Sequence, residues 1–578
     1  MKNRLSYIIL IALFAGFSGC ADDYMDTVPT SSVNADVLFA DPGNLSDIIN
    51  GIALIMDSHV GSTEVYQQGL GGESGIKIWY GNFVGNAFTS PAETNYGAGK
   101  SRANGDYHTD PTNANTSFPW YYYYRVIASA NNVLPYINIE EGQVNEMKRL
   151  KAATLTFRAY AYSMLIQLYG WRWEDSDNGT NPNAGGVVLR LSPDDPDNMP
   201  LSTIAKTYAQ IYKDLDEAIG LFKESGWVRP ASDFWTPNIN VAYATYARAA
   251  INRCDYETAK TMAQKAREGY GLMSVPEYKS GFNSPNSEWI WGSYADVSRN
   301  QLYYGFHSNM AYDGQASTRT TATKVMVKRY YQKIPATDIR KKMFLGPDVT
   351  GTMLPESTTT TYTVPDSDPA RDTTIVTYTF NGTTGAVIPA QSVGKRPNVT
   401  IIQNGQPLID YAQGIYPDLP TDHISAYMHF KFASADATHS HSSGYGSLNH
   451  FRSSEMYLIE AEVAYKLGQE SETKRLLTEL TKGSGRDPEY NNSSLSGAAL
   501  FEHLKDLAQI ELWGEGHDWF MVKRWGDDIV RIPFADGGNH KEGLRGGPYT
   551  KDSQNHQTWM IPNLETDNNK LANGPAQP

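Results

Sequence analysis

Cysteine is nearly missing from this sequence. Only Cys20 and Cys254 occur in 578 residues, so a disulfide framework is excluded once Cys20 is otherwise engaged. Charged residues are sparse at 19%, and cations are the scarcer sign: 49 Lys and Arg against 63 Asp and Glu leave a net charge of −14. That balance argues against nucleic acid as a partner and against bulk binding of anionic phosphates. Long apolar runs are lacking beyond the N-terminus, so no later segment reads as a membrane-spanning helix. A P-loop, a dinucleotide fingerprint and a Gly-x-Ser-x-Gly elbow are absent too, which removes the commonest signatures of nucleotide-dependent and serine-dependent enzymes.

The one uncharged run, Leu5 to Phe17, follows Lys2 and Arg4. It is too short to span a bilayer stably and reads as the core of a signal peptide. It ends in Phe17-Ser18-Gly19-Cys20, which resembles a bacterial lipobox with Phe17 in place of the more usual Leu. Cys20 is therefore the expected lipidation site. Each buried acyl methylene contributes about 0.8 kcal/mol, so two or three chains anchor a protein firmly. Asp22, Asp23 and Asp26 follow closely and resemble signals that send lipoproteins to the cell surface. The expected organisation is a signal peptide over 1–19, a lipidated tether over 20–40 and one domain over 41–578. Cys254 reads as a packing residue.

Apolar residues at three- and four-residue steps predict a helix opening near Asp41, capped by Asn44 or Ser46. Further helices are expected over 120–137, 145–169 and 203–225, with a pair over 240–269 broken at Asp255-Tyr256. Another pair over 453–481 turns at Leu467-Gly468, and 497–525 supplies more helix. Alanines at the contacts, such as Ala259, Ala263 and Ala266, suggest close-packed pairs of the tetratricopeptide kind. Residues 60–117 and 285–450 read instead as loop regions. Within the second, Glu288 to Gly292 is strand-like, and Ser357 to Val364 with Thr373 to Phe380 predicts a long surface hairpin. The expected fold is mainly α: a scaffold of tetratricopeptide-like helix pairs (about 41–58, 118–275 and 450–530) carrying large irregular loops and short β-hairpin insertions.

Several segments carry a family resemblance. Trp120-Tyr121-Tyr122-Tyr123-Tyr124-Arg125 leads into Ala130-Asn131-Asn132, and Phe157-Arg158-Ala159-Tyr160-Ala161-Tyr162 precedes Leu168-Tyr169-Gly170. Gly185-Gly186-Val187-Val188 follows. Late in the chain stand Arg452, Glu455 to Glu462, Glu511, Gly514-Glu515-Gly516-His517, Trp519-Phe520 and Arg524-Trp525-Gly526. In this order, over nearly the whole chain, they resemble the SusD/RagB-like family; the C-terminal Leu571-Ala572-Asn573-Gly574 departs from the usual terminus. The resemblance implies a non-catalytic, surface-exposed lipoprotein of the outer membrane. It implies binding of an oligosaccharide or polysaccharide, or of peptides in a minority of members. The implied partner is a SusC-like TonB-dependent transporter, on which the protein sits as a lid.

The carboxylates Glu511 and Glu515, beside His517, raise the alternative of a surface glycoside hydrolase, which needs two carboxyl groups roughly 5 to 9.5 Å apart. The competing expectation is buried polar contacts among these residues and Arg524. His439, His441 and His450 do not complete a recognisable zinc site. Asp194, Asp195 and Asp197, and Glu174, Asp175 and Asp177, have calcium-like oxygen density without EF-hand spacing. No cofactor is expected, a structural calcium being the one open option.

The functional expectation rests on aromatic loops. Sugar rings present C–H faces that stack on flat side chains, each worth about 1 kcal/mol beyond burial, while Asn and Arg read hydroxyls. Two regions combine these types. The first holds Trp79, Tyr80, Asn82, Phe88 and Tyr96; the second holds Trp291, Tyr294, Arg299, Tyr303, Tyr304 and Tyr312.

Overall fold

A computed structural model describes residues 42–57, 70–89, 104–140, 143–182, 184–296, 305–311, 324–344, 427, 429, 431–435, 444–533, 536–540 and 558–572, together with the backbone of five strands between 357 and 411. The signal peptide, Cys20 and the tether lie outside the described residues.

Helix α1 (Pro42–Met56) buries Leu45, Ile49, Ile52 and Met56 along one stripe. It begins at Pro42, ahead of the expected caps Asn44 and Ser46; proline suits a first helical position because its missing N–H has no partner there anyway. Helix α2 (Ala114–Val133) also starts earlier than its aromatic run implies. Asn113 accepts from the Asn115 backbone as N-cap, and Pro119 sits within the first two turns. Helix α3 (Val144–Tyr169) is buried on nearly every face. Helix α4 (Ile204–Ser225) is capped by Thr203 and ends on Gly226 at φ +64°, a left-handed conformation that costs glycine nothing. Helices α5 (Ile239–Asn252) and α6 (Tyr256–Ala266) take Asn238 and Asp255 as N-caps, so the expected break at Asp255 is a cap.

Each of these helices packs on the next, and the row continues from α6 onto α7 (Ser453–Lys466) and α8 (Glu470–Thr478). The contact faces are alanine-rich: Ala259, Ala263 and Ala266 are fully buried. Small side chains let neighbouring backbones approach closely, which is the packing expected of tetratricopeptide-like pairs. Helix α9 (Gly497–Glu511) packs on α7, and α10 (Asp518–Trp525) follows after a tight turn. No helix among the described residues is long and apolar enough to cross a membrane.

Residues 267–452 interrupt this row in sequence but not in space. Strand β4 (Trp289–Ser293) enters the insertion, and β11 (Leu448–Arg452) leaves it and runs directly into α7. The two pair antiparallel, Leu448 opposite Ser293 and Arg452 opposite Trp289, closing the neck of the insertion. The remaining sheets are small: β1 (Phe88–Thr89) with β5 (Val325–Met326), and β2 (Gly185–Val188) with β3 (Leu201–Thr203). The expected hairpin exists as β6 (Ser357–Val364) and β7 (Thr373–Phe380), with Val364 opposite Thr373. Strands β8 (Thr383–Val387), β9 (Val399–Gln403) and β10 (Gln406–Tyr411) extend it into a five-stranded antiparallel meander.

Candidate ligand-binding site

The first aromatic region departs from expectation. Residues 70–89, read from composition as a loop, form a π-helical turn at Ile76–Asn82 followed by β1, and nearly all of them are buried. Glycine makes this possible. A Cβ on Gly81 would stand 2.1 Å from the Gly516 carbonyl oxygen, and one on Gly85 would meet the Asp518 carboxylate. The segment is thereby seated against the turn between α9 and α10. Asn82 clamps that turn, donating to the Gly514 carbonyl at 2.8 Å and accepting from the Gly516 N–H at 2.9 Å. Tyr80 donates to the Asn115 carbonyl at 2.5 Å, and Phe88 packs between Phe83 and Trp513. Burial removes Tyr80, Asn82 and Phe88 from any ligand-facing surface. Trp79 is half-buried, its ring 4.8 Å from that of Phe83. Tyr96 lies outside the described residues.

Behind the same turn is a buried network of charge. Arg452 donates to Glu288 at 2.7 Å, to the Glu511 carboxylate at 2.9 Å and to both oxygens of Glu515 at 2.7 and 2.8 Å. Arg340 bridges Asp338 and Glu511, Arg486 reaches Glu288, and Lys431 donates to Glu515 at 2.6 Å. Burial pushes the Glu511 carboxyl upward, but Arg486, Arg452 and Arg340 overcome it and hold the group well below the usual carboxylate range. Glu515 is held down likewise by Arg452 and Lys431. Four cations thus meet four carboxylates with solvent excluded, the balance a buried network requires. A glycosidase acid needs a raised pKa and access to the scissile oxygen; Glu511 and Glu515 have neither. Arg524, expected in this cluster, instead pairs with Glu462 at 2.6 Å.

Beside the network, a cavity of about 40 Å³ is lined by Glu73, Lys77, Tyr160, Arg248, Glu455 and His517 among others. The hydroxyls of Tyr122, Tyr123 and Tyr160 all donate to Glu73 at 3.0 Å. Burial raises the Glu73 pKa against the pull of Lys77 and these tyrosines, and burial lowers Lys77 to about 8.

The second aromatic region divides in the same way. Trp291 is core: its Nε1 donates to the Trp235 carbonyl at 2.7 Å, and its ring packs on Phe451 and Tyr160. Tyr294, three residues on, is 36% exposed. Its ring lies 5.7 Å from that of half-buried Trp235, with Phe234 supporting both. The Tyr294 hydroxyl donates to Asp296 at 3.1 Å. Two large rings therefore meet at the surface with a carboxylate beside them. Arg299, Tyr303, Tyr304 and Tyr312 lie outside the described residues.

Known proteins share this architecture. A family described as "Starch-binding associating with outer membrane" matches residues 43–250, and the SusD family matches residues 287–574. The chain belongs to the SusD/RagB-like family. Among solved SusD structures, a SusD-like carbohydrate binding protein from Bacteroides vulgatus is 20% identical with a TM-score of 0.66, covering 92% of this chain and 97% of its own. SusD superfamily proteins from Bacteroides thetaiotaomicron and Bacteroides fragilis, each 18% identical, give TM-scores of 0.63 and 0.62 over 93% of this chain and 99% and 100% of their own. At these identities the likeness is one of fold. No curated protein matches the sequence.

In this SusD-like chain, sequence reading missed Phe234 and Trp235. They sit in the polar turn Asp233-Phe234-Trp235-Thr236-Pro237 between two helices, and an aromatic pair in such a turn was the available signal. What could not be read is that this turn lies against β4, held by the Gly292 N–H donating to the Phe234 carbonyl at 3.0 Å. Among the metal candidates, His450 is buried with Nε2 at 2.8 Å from the Ser293 hydroxyl, and no cluster of three or more potential ligands occurs among the described residues. His439 and His441 lie outside them.

Proposed function

We propose that this protein is a non-catalytic, lipid-anchored glycan-binding protein of the outer-membrane surface, which captures oligosaccharides and delivers them to a partner SusC-like TonB-dependent transporter. The observation that carries the binding role is the pairing of half-buried Trp235 with exposed Tyr294, with Asp296 beside them, the combination of aromatic face and polar reader that a sugar ring requires. Family membership supports the role, since one family description names starch binding and outer-membrane association. The lipobox-like Cys20 supports the anchor, and the engagement of Glu511 and Glu515 by interior cations supports the absence of hydrolysis.

Affinity gel electrophoresis of the mature chain against a panel of polysaccharides tests the reading, with the same mixtures assayed for new reducing ends. Retardation without products, lost in Trp235→Ala or Tyr294→Ala, is the expected outcome. New reducing ends would overturn the non-catalytic assignment. Failure of every glycan, with retention of peptides on a column of the same protein, would replace the ligand class.

A further inference from the structure

A second cavity, of about 20 Å³, lies where the loop after α3 meets α4, the end of α5 and α10. Its lining includes Arg172, Tyr208, Asn252, Cys254 and Lys523. Donors outnumber acceptors there. Arg172 commits its terminal nitrogens to Glu174 and Asp175, at 2.5 and 3.4 Å, but its buried Nε–H has no protein acceptor. Lys523, 5% exposed, donates to the carbonyls of Gln167 and Gly170 at 2.6 and 2.9 Å. Its third N–H is left over, and it forms no ion pair among the described residues. Tyr208 is 3% exposed as a residue, and its hydroxyl makes no hydrogen bond among the described residues. The side-chain acceptors at the cavity wall are the Gln167 oxygen, which already accepts from Asn252, the Asn252 oxygen, the Cys254 sulfur and Glu174, the last exposed and already taken by Arg172.

We propose that this cavity binds a monatomic anion, chloride in the ordinary case, with Arg172 Nε, Lys523 Nζ and Tyr208 Oη as its donors. A water molecule would accept two of these hydrogen bonds but bring two hydrogens of its own into a wall short of acceptors. An anion brings only acceptor capacity, and its charge offsets a buried ammonium whose hydrogen-bond partners are both carbonyls. The volume suits a single small occupant. Burial and the nearby Arg172 push the Lys523 pKa well below its ordinary value; a negative charge in the cavity counters both effects.

The test compares thermal unfolding of the mature chain in sodium chloride and in sodium gluconate at matched ionic strength, beside crystals soaked in sodium bromide. Melting temperature is expected to rise saturably with chloride by a few degrees, and bromide to give an anomalous peak between Arg172 and Lys523. Tyr208→Phe removes one donor with little loss of volume. It should weaken the chloride half-saturation several-fold while leaving melting in gluconate close to that of the parent. Lys523→Met should abolish the chloride response; should it fail to fold, Tyr208→Phe remains decisive. Equal melting in both salts, or an ordered water with no bromide signal, would overturn the proposal.

Discussion

At the scale of single residues, Arg452 shows how little freedom the interior leaves. It is 1% exposed and touches Glu288, Glu511 and Glu515 at once. Removing one member of a buried ionic set strands its partners in a medium that cannot solvate them, typically at a cost of about 3–5 kcal/mol. Arg452→Met should therefore lower stability by about that amount, measured as a shift in the urea midpoint. An unchanged midpoint would mean that the network has no structural role. Acid stability follows from the same burial. His307 and His429 are pushed by desolvation from 6.5 to about 4 and about 3, and His450, His517 and His540 are also held low by burial. A histidine whose folded pKa is depressed leaves stability intact above about 6.5 and removes it as pH falls toward the folded value, because the unfolded chain binds the proton first. Asp518 acts oppositely: burial raises it to about 6, so acidification through that value stabilises. Six histidines, His503 included, stand against Asp518 and against Glu73, Asp214 and Glu460, whose carboxyls burial also raises, and the histidine majority predicts a net loss of stability between about pH 6.5 and 4. A flat profile of unfolding free energy over that interval would contradict this balance.

At the scale of elements, tolerance is set by close approach. Ala263 on α6 is fully buried in the helix row, and inserting a larger side chain into such a contact costs typically about 1–3 kcal/mol. Ala263→Leu should destabilise by that amount in chemical denaturation. Gly516 holds φ at +87°, and a Cβ there would lie 2.6 Å from the Lys77 side chain. Gly516→Ala combines backbone strain with a clash, so it should destabilise more than a substitution at exposed Gly537, where φ is +84° but no atom lies within 4 Å. The comparison of the two melting temperatures separates strain from crowding. These elements also mark what could be read in advance. The helix row was legible because its caps are local: Thr203, Asn238 and Asp255 announce their helices within three residues. The segment 70–89 was not, because its glycines signal a loop by composition while their cause is a backbone packed from residues 514–518. The proposed binding surface was half legible. Tyr294 was named, but its partner Trp235 reaches it only through the pairing of a distant turn with β4.

At the scale of the whole molecule, the helix row is one structure made from two separated stretches of chain. Helix α6 ends at Ala266, yet α7, which packs against it, begins at Ser453. A fragment covering residues 42–270 should therefore expose the face of α6 that α7 normally covers, and should bind a hydrophobic dye and self-associate, whereas the mature chain does neither. Equal dye binding by fragment and mature chain would show that the first stretch completes its own surface.

The neck formed by β4 and β11 has a further consequence, in time rather than in space. Every contact across it joins residues more than 150 positions apart, so closing it must overcome the entropy of a long loop before any reward is collected. During synthesis, α2 to α6 emerge well before α7 exists to cap them, and they must wait through the whole insertion with that face uncovered. Refolding should therefore be slow and aggregation-sensitive relative to a helical array of the same size with consecutive repeats, with the rate set by the meeting of β4 and β11.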